Sequence, residues 1–213
     1  MTQKVRVLAT TGAMPITVGN IKDALKITSP APDPYLDDLP AAALDAIEQF
    51  TGRCIIRRTL GIFMDLHDVG HARDPWWTGM KQGAISALFR APAIELDSPP
   101  LVSIDLVNTY DINDVETLFA ASNYRASAND VMLKGKLILT YGSIWPPLMR
   151  AYDSIDVQVT AGWADGAIPP ALKQAILNMA VWAYKTRAPC DASCCEAVLG
   201  GSLDYYRLMK VSA

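Results

Sequence analysis

The stretch that decides the fold runs from Val157-Gln-Val-Thr-Ala-Gly-Trp163 through a turn at Asp165-Gly166 to Ile168-Pro-Pro170, and then on to Arg187. Alternating apolar residues in the first segment predict a β-strand. Proline is tolerated in the first turn of a helix, where its missing N–H would be unpaired anyway, so the Pro-Pro pair marks a helix start. A strand, a tight turn and a long helix therefore follow one another here.

The apolar residues of this long helix fall into two strips. One broad face repeats at helical spacing and is expected to be buried: Leu172, Ala175, Ile176, Met179, Ala180 and Ala183. Leu177, Val181 and Tyr184 form a second strip among polar residues on the other side. This strip can contact a second partner, or it can lie under a neighbouring loop of the same chain. Both interpretations stay open at this point.

Composition restricts the class of protein. The chain has 213 residues, 51% hydrophobic and 19% charged, which suits one soluble domain with an elaboration or two small ones. The net charge is −3 and no basic cluster exceeds Arg57-Arg58, so sequence-specific DNA binding is not expected. The sequence contains neither a signal peptide nor a stretch of membrane-spanning length, so a cytoplasmic product is expected. Its four cysteines are interpreted as reduced thiols.

Two helices are predicted near the N-terminus. Thr17 is a suitable N-cap for a short helix over residues 18–26. A proline-rich linker follows, and Asp33 then offers a cap for a second helix that runs towards Thr51. Gly52 stands where a left-handed C-cap is expected. A helical pair should therefore precede the rest of the chain.

Pro40 complicates the second helix. Inside a helix, proline removes a hydrogen bond and clashes with the preceding turn, at a cost of roughly 3 kcal/mol. Either Asp37 or Asp38 restarts the helix, so that Pro40 lies in its first turn, or the helix is kinked.

Between Arg53 and Gly166 the pattern becomes β. The predicted strands are 54–64, 94–97, 101–110, 116–119, 131–133, 136–141 and 154–160, which together indicate an antiparallel sheet or a small barrel. A long loop is expected over residues 67–83. Its Trp76 and Trp77 are too apolar to remain wholly in water, so this loop should fold back on the sheet or dock on a neighbour.

The predicted fold is α+β. The N- and C-terminal helices form a helical bundle, and an antiparallel β-rich insertion lies between the second and third main helices. The expected divisions are an N-terminal helical part over residues 1–53, the insertion over 54–165, and a C-terminal helical part over 166–213. From about residue 200, after a flexible Gly200-Gly201, the last segment is expected to be an interaction tail.

No catalytic, cofactor-binding or metal-binding residues are predicted. His67 and His71 are spaced i, i+4, but Gly70 between them argues against a helix that would bring their rings together. The acidic run Asp111-Ile-Asn-Asp-Val-Glu116 lacks the glycine and distal glutamate of a calcium loop and is interpreted as a hairpin turn. Phosphate-binding, dinucleotide-binding and nucleophile-elbow motifs do not occur.

Several phrases, in order, carry a family resemblance. They are Ile21-Lys-Asp-Ala-Leu25, Ala46-Ile-Glu-Gln-Phe-Thr-Gly-Arg53, Ser98-Pro-Pro-Leu-Val-Ser-Ile-Asp105, Val157–Trp163 and Pro169–Ile176. Together they resemble the head-to-tail connector (adaptor, or head-completion) proteins of tailed phages, in the longer form with an inserted β-sheet that also occurs in gene transfer particles. The loop over residues 67–83, the cysteine-containing segment after Arg187 and Pro40 depart from that pattern.

This resemblance implies a structural virion component and not an enzyme. Such proteins form homo-oligomeric rings, usually dodecamers, that dock on the portal protein in the neck of the virion after assembly in the host cytoplasm. A head-closure (stopper) or tail-completion protein attaches below, and DNA passes through the lumen without sequence-specific binding. No membrane is involved. The resemblance also directs the C-terminal segment towards the portal, with Tyr205, Tyr206, Arg207 and Met209 as candidate docking residues, although this segment can equally dock on its own domain.

A closed ring needs two different complementary patches on each subunit. The candidates are the strip of Leu177, Val181 and Tyr184 and the loop residues Trp76 and Trp77. Two other classes remain as alternatives: a phage-encoded hydrolase that uses a carboxylate pair, and a monomeric β module in which the two tryptophans bind a ligand or glycan.

Overall fold

The computed structural model describes residues 3–29, 33–65, 93–97, 99–127, 134–146, 148–188 and 192–208. Its contacts divide the chain into two compact units. The sheet unit comprises the described residues of Met1–Ala9, Thr59–Asp130 and Lys134–Ala161. The helical unit comprises the described residues of Thr10–Arg58 and Gly162–Ala213.

The first two helices of the helical unit begin and end at the predicted caps. Helix α1 spans Val18–Leu25, and the hydroxyl of Thr17 accepts a hydrogen bond from the Asn20 N–H. Helix α2 spans Pro34–Thr51, with Asp33 as N-cap and Gly52 in the left-handed conformation at its end (φ +69°). The caps satisfy backbone groups that helix ends leave unpaired, which is why these residue types locate the boundaries.

Helix α2 is one continuous helix, so of the two alternatives for Pro40 the restart at Asp37 or Asp38 is wrong. Pro40 lies inside the helix and is buried. Its ring therefore adds to the apolar face that Leu36, Leu39 and Ala43 also form. Tertiary packing of this kind offsets the unfavourable effect of proline inside a helix.

The long third helix, α3, spans Pro170–Thr186 and ends at Arg187, which adopts a left-handed conformation (φ 54°). All six residues of its predicted broad face are buried. Helix α4 spans Ala192–Leu199, and a 3-10 helix over Gly200–Tyr206 follows it. Helix α2 packs against both α3 and α4, and all four helices share one apolar core.

The sheet unit contains two sheets. The larger has five strands in the order β1 (Lys4–Thr10), β2 (Arg58–Met64), β8 (Ile155–Ala161), β4 (Leu101–Tyr110) and β5 (Glu116–Leu118). Strand β4 pairs antiparallel with β8 and with β5. The smaller sheet has the order β3 (Ala93–Leu96), β7 (Gly135–Leu139) and β6 (Tyr124–Ser127), with both pairings antiparallel.

The mixed α+β class with antiparallel sheets is confirmed. The details differ in three respects: β1 and β6 were not predicted, there are two sheets instead of one sheet or barrel, and β2 begins at Arg58 instead of Cys54. The late start of β2 has a physical cause, since the chain after α2 is held in a tight connection in which the Ile55 N–H donates to the buried Glu48 carboxylate (2.7 Å). The predicted strand over residues 131–133 lies outside the described residues. Within the described ranges, no helix has the length and apolar character needed to cross a membrane.

Candidate subunit interface and docking surfaces

The second strip of α3 lies against the helical unit's own core. Leu177, Val181 and Tyr184 are each half-buried and pack against the shared apolar cluster. The sequence left open whether another chain or this chain covers the strip, and part of each side chain is covered by its own unit. Only the outer part of each side chain remains available for another subunit.

Tyr184 lies in a small aromatic and cationic cluster. Its ring lies 6.1 Å from that of Tyr35, measured between centroids, and the Arg187 guanidinium lies 4.4 Å from the Tyr35 ring and 4.7 Å from the Tyr184 ring. The Tyr35 hydroxyl donates to the Ala183 carbonyl (3.1 Å). These contacts tie the start of α2 to the end of α3. Sequence reasoning did not single out Tyr35 or Arg187, because only the fold brings the two helix ends together.

A cleft of about 340 Å³ opens beside this cluster. It is lined by Lys22, Ile27, Ser29, Asp33, Pro34, Leu36 and Tyr184. Its size lies near the lower limit for small-molecule sites. The cleft has walls of mixed polar and apolar character with one basic and one acidic side chain, Lys22 and Asp33. Asp33 already caps α2 by accepting from the Tyr35 N–H (3.1 Å). The Lys22 ammonium donates to the Ser29 backbone carbonyl (3.4 Å) in this lining.

The C-terminal segment is docked on the helical unit as far as Leu208. Leu203 is buried, and the Arg53 side chain donates to the Tyr206 carbonyl. The Leu208 N–H donates to the Thr51 carbonyl (3.0 Å) at the end of α2. Gly200 and Gly201, which were expected to be a flexible link, form the start of a 3-10 helix.

The candidate portal-docking residues differ in exposure. Arg207 is held over the Phe50 ring (4.9 Å) and lies 3.4 Å from a Glu196 carboxylate oxygen. Tyr206 is half-buried against the core, whereas Tyr205 is 64% exposed and meets the Tyr206 ring edge to face (centroids 5.2 Å apart). Tyr205 is therefore the most accessible of the described candidates. Met209 and the loop residues Trp76 and Trp77 lie outside the described residues, as do His67 and His71.

A buried ion pair fixes the connection between α2 and β2. The Glu48 carboxylate lies 2.6 Å from the Arg58 guanidinium and also accepts from the Ile55 N–H. Cys54 lies beside this pair, and burial, with a smaller effect of the Glu48 charge, raises the pKa of its thiol to about 12. A thiol with this pKa stays protonated at neutral pH and is a poor nucleophile or metal ligand.

The acidic turn over residues 111–116 is a hairpin turn, as the sequence predicted. One carboxylate oxygen of Asp111 accepts from the Asn113 N–H (2.7 Å) and the Val115 N–H (2.9 Å). The bond from the Val115 backbone, followed by the bond from the Asn113 backbone, lowers the pKa of Asp111. Its charge is therefore satisfied by the turn itself. No cluster of metal-ligating side chains occurs among the described residues.

The outer strand β1 is the feature that sequence reasoning missed. All seven of its residues are exposed, including Val5, Val7 and Leu8. The signal was present in the alternation of Lys4-Val-Arg-Val7, which has the period of a strand. A strand in this position carries apolar side chains and backbone groups that another chain can cover.

Comparison with solved structures shows the same fold along nearly the whole chain. A chain in the neck of an empty GTA particle, determined with C6 symmetry, superimposes with a TM-score of 0.70 at 18% identity and covers 99% of this chain and 98% of that one. A chain in the virion of a native gene transfer agent (GTA) particle gives 0.68 at 19% identity, covering 98% and 97%. A chain in the neck of a native GTA particle, determined with C12 symmetry, gives 0.65 at 20% identity, covering 100% and 98%.

These likenesses establish the fold. No family model matches the chain, and no curated protein matches it by sequence. The three similar structures are of a particle and its neck, which is the class of assembly that the ordered sequence phrases indicated independently. The resemblance seen in the sequence is thus confirmed at the level of the fold.

Proposed function

We propose that this chain is a structural component of the neck of a phage-like particle: a head-to-tail connector subunit that forms a homo-oligomeric ring, docks on the portal and provides the attachment surface for the next protein towards the tail. The observation that carries the proposal is the shared fold, which extends over 97–98% of each of the three similar chains. Agreement over nearly the whole of the compared chains supports a common architecture better than agreement over one module would.

The neck structures with C6 and C12 symmetry support a ring with repeated subunits. By analogy, we propose a dodecamer for this chain. The proposed subunit architecture has a helical part made from both ends of the chain, over residues 1–53 and 166–213, and a β-rich insertion over residues 54–165 between them. Strand β1 is the exception, because it lies in the N-terminal part but joins the five-stranded sheet. Contacts in which one patch of a subunit binds a different patch of its neighbour close into a ring when the rotation between neighbours is a whole fraction of a turn.

The exposed parts of Leu177, Val181 and Tyr184 are proposed to contribute to subunit contacts, since the strip is only half-covered by its own unit. Tyr205 is proposed to face the portal, because it projects from a segment that is otherwise docked. Aromatic residues of this type are enriched at interface centres. A head-closure or tail-completion protein would occupy the opposite side of the ring.

The proposed lumen conducts DNA without binding it tightly. The chain carries a net charge of −3, so a ring of these subunits lacks the excess of Lys and Arg that releases counterions and holds DNA. Weak interaction permits translocation during packaging and ejection. The function is mechanical: the ring adapts one symmetry layer to the next and keeps the channel continuous.

Cryo-electron microscopy of particles from the source tests this proposal directly. The expected result is a collar layer next to the portal whose density fits the helical unit and the sheet unit as repeated copies. Negative-stain microscopy of the purified chain, alone at high concentration and with the portal protein of the same source, provides a simpler test. The proposal fails if the particles contain no such layer and the chain stays monomeric in both conditions.

A further inference from the structure

The five-stranded sheet has two free edges in the part of the chain that the structure describes. Its outer strands are β1 and β5, and each has one strand neighbour within the sheet. Every residue of both strands is exposed. Outer strands present unpaired N–H and C=O groups that can extend the sheet with a strand of another chain.

The two edges are opposite in charge and alike in apolar content. Strand β1 carries Lys4 and Arg6 and no carboxylate, whereas residues 111–118 carry three carboxylates and neither lysine nor arginine. Exposed apolar side chains accompany both sets of charges: Val5, Val7 and Leu8 on β1, and Ile112, Val115 and Leu118 on the β4–β5 hairpin. Val7 is 52% exposed and Leu118 is 62% exposed. Each edge therefore has exposed apolar side chains that the other edge can cover and charges of the opposite sign to those of the other edge.

We infer that β1 of one subunit pairs with β5 of the next, so that the five-stranded sheets of neighbouring copies join edge to edge. This inference rests on the proposed ring and names one of its contacts. The occupant of each edge is a second copy of this chain. A β1-to-β5 contact joins two different patches, which is the heterologous type that rings require.

The charges favour this pairing over the symmetric ones. Two β1 strands side by side would bring Arg6 of both copies together, and two hairpins would bring Glu116 of both copies together. Lys4, Asp111 and Asp114 add less to this repulsion, because each already has a partner within its own subunit. Like charges across an interface are unfavourable, while opposite charges increase the rate of encounter and select the partner. The charged residues of the two edges therefore disfavour pairing between identical edges and favour pairing of β1 with the hairpin of another copy.

The hairpin presents a defined edge before any partner arrives. The Asp111 N–H donates to the Val115 carbonyl (3.1 Å), and the Phe119 N–H donates to the Val107 carbonyl (2.8 Å). In an antiparallel pair, residues alternate between facing the partner strand and facing away, so the backbone groups of Glu116 and Leu118 point outwards. Little ordering is then needed on binding, which favours association.

Arg150 supports the same hairpin from its base. Its guanidinium lies 2.9 Å from an Asp114 carboxylate oxygen and 4.1 Å from the centre of the Tyr110 ring. It also donates to the Asp153 carbonyl from two nitrogens (3.0 Å and 2.6 Å). The turn is thereby fixed to the connection that leads into β8.

Strand β1 is also held in place. The Asp97 N–H donates to the Gln3 side chain (2.8 Å), and the Lys4 ammonium lies 2.8 Å from an Asp153 carboxylate oxygen. Arg6, by contrast, is exposed and makes no ion pair among the described residues. Its charge is available to a neighbour, and Glu116 is the carboxylate on the facing strand.

Charge reversal tests this pairing. In Arg6→Glu, β1 loses its positive excess, and in Glu116→Lys the hairpin loses two units of negative charge. Each variant alone should associate at least about tenfold more weakly than the wild type, because like charges then meet. An equimolar mixture of the two variants should recover rings with an even number of subunits, since every contact again joins opposite charges. Mass photometry and negative-stain microscopy at low salt, with portal present, measure both effects.

Arg125→Glu is the matched control. Arg125 is exposed on β6, the outer strand of the other sheet, and undergoes the same change of charge. This control should form rings like the wild type, and both Arg6→Glu and Arg125→Glu should retain the wild-type circular dichroism spectrum and melting temperature. Glu116→Lys also removes the hydrogen bond that the Asn108 side chain donates to Glu116, so its assembly is scored only at a temperature where its circular dichroism spectrum matches that of the wild type. Wild-type rings should also weaken as ionic strength rises.

The outcomes separate this inference from the proposed function. If the wild type forms rings and the two reversed variants also form them normally, the ring stands and the β1-to-β5 contact is wrong. If Arg6→Glu prevents assembly but Glu116→Lys does not, β1 meets some other surface, and the inference is again overturned. If the wild type never forms a ring, the proposed function and the contact fail together.

Discussion

Strands β1 and β8 belong to the same sheet, have seven residues each and carry valines at alternate positions. In β8, Val157 and Val159 are fully buried, whereas in β1 both Val5 and Val7 are exposed. The difference follows from position, because β8 lies between two strands and β1 lies at an edge. Alternation in a sequence identifies a strand, but the position of that strand in the sheet determines which of its side chains are covered.

The comparison separates two uses of apolar residues. Buried valines stabilise the folded subunit by removing apolar surface from water. Exposed valines on a charged edge contribute little to that stability and are available to a second chain. Substitutions on the two strands should therefore affect different measurements.

The largest expected effect lies at the end of β8. Gly162 has φ +96°, and a Cβ at this position would lie 2.3 Å from the Ile56 carbonyl oxygen. Gly162→Ala combines a left-handed backbone with a clash against another backbone segment, so the free energy of unfolding should fall by about 3 kcal/mol or more. Urea denaturation followed by circular dichroism measures this loss.

Gly142→Ala is the control for backbone strain alone. Gly142 also has a positive φ (+83°), but nothing lies within 4 Å of the added carbon. Its cost should stay near 1 kcal/mol. Equal losses for the two variants would contradict the view that close approach fixes the end of β8.

The next effect compares the two strands directly. Val159→Thr places a hydroxyl in the sheet's core and should lower the free energy of unfolding by about 1–3 kcal/mol. Val7→Thr places the same group in water and should change it by less than about 0.5 kcal/mol. Ring formation is expected to weaken only for Val7→Thr at concentrations where both variants remain folded. Similar stability losses in both would show that β1 is covered within the subunit.

The helical unit offers a similar comparison between a partly buried side chain, Tyr184, and an exposed one, Tyr205, with a smaller expected difference in stability. Tyr184→Ala removes the contacts with Tyr35 and with Arg187 and should cost about 1–2 kcal/mol of stability. Tyr205→Ala removes a ring that is mostly in water and should cost less than about 0.5 kcal/mol. Under the proposed function, Tyr205→Ala instead weakens binding to the portal, measured by co-sedimentation. A large stability loss for Tyr205→Ala would place this side chain inside the subunit.

Local signals in the sequence predicted most of the helical unit. Thr17, Asp33 and Gly52 are residue types that satisfy backbone groups at helix ends, and each lies at the predicted boundary. The buried face of α3 was predicted residue by residue because helical periodicity directly reports which side meets a core. These features depend on neighbours within a few residues.

Other features depend on contacts between distant segments and could not be predicted. Periodicity identified Leu177, Val181 and Tyr184 as a second apolar strip, but it does not identify the surface that covers them. The edge position of β1 follows from sheet order, which the strand pattern leaves open. The continuous path of α2 through Pro40 likewise follows from packing that local propensity does not contain.

The smallest effect concerns a polar residue of β8, and here the substitution should raise the free energy of unfolding instead of lowering it. Asp156 is buried opposite Asn108, and one of its carboxylate oxygens has no hydrogen-bond partner in the described part of the chain. Burial raises the pKa of this carboxyl; a hydrogen bond with Gln158 partly opposes the shift, and the charge of Glu116 adds to it. Asp156→Asn removes the buried charge and should increase the free energy of unfolding at pH 7 by about 1 kcal/mol.

The pH dependence gives this prediction its sharpest form. Because the folded-state pKa of Asp156 lies above the unfolded-state value, the folded protein keeps a proton that the unfolded chain has lost. The wild type is therefore stabilised most below the unfolded-state pKa and loses this stabilisation as pH rises through the folded-state pKa. The advantage of Asp156→Asn should be largest at neutral pH and should disappear in acid. If the advantage of Asp156→Asn instead grows as pH falls, the folded protein stabilises the ionised Asp156 carboxylate. The central strand β8 would then accommodate a charge as the edge strand β1 does.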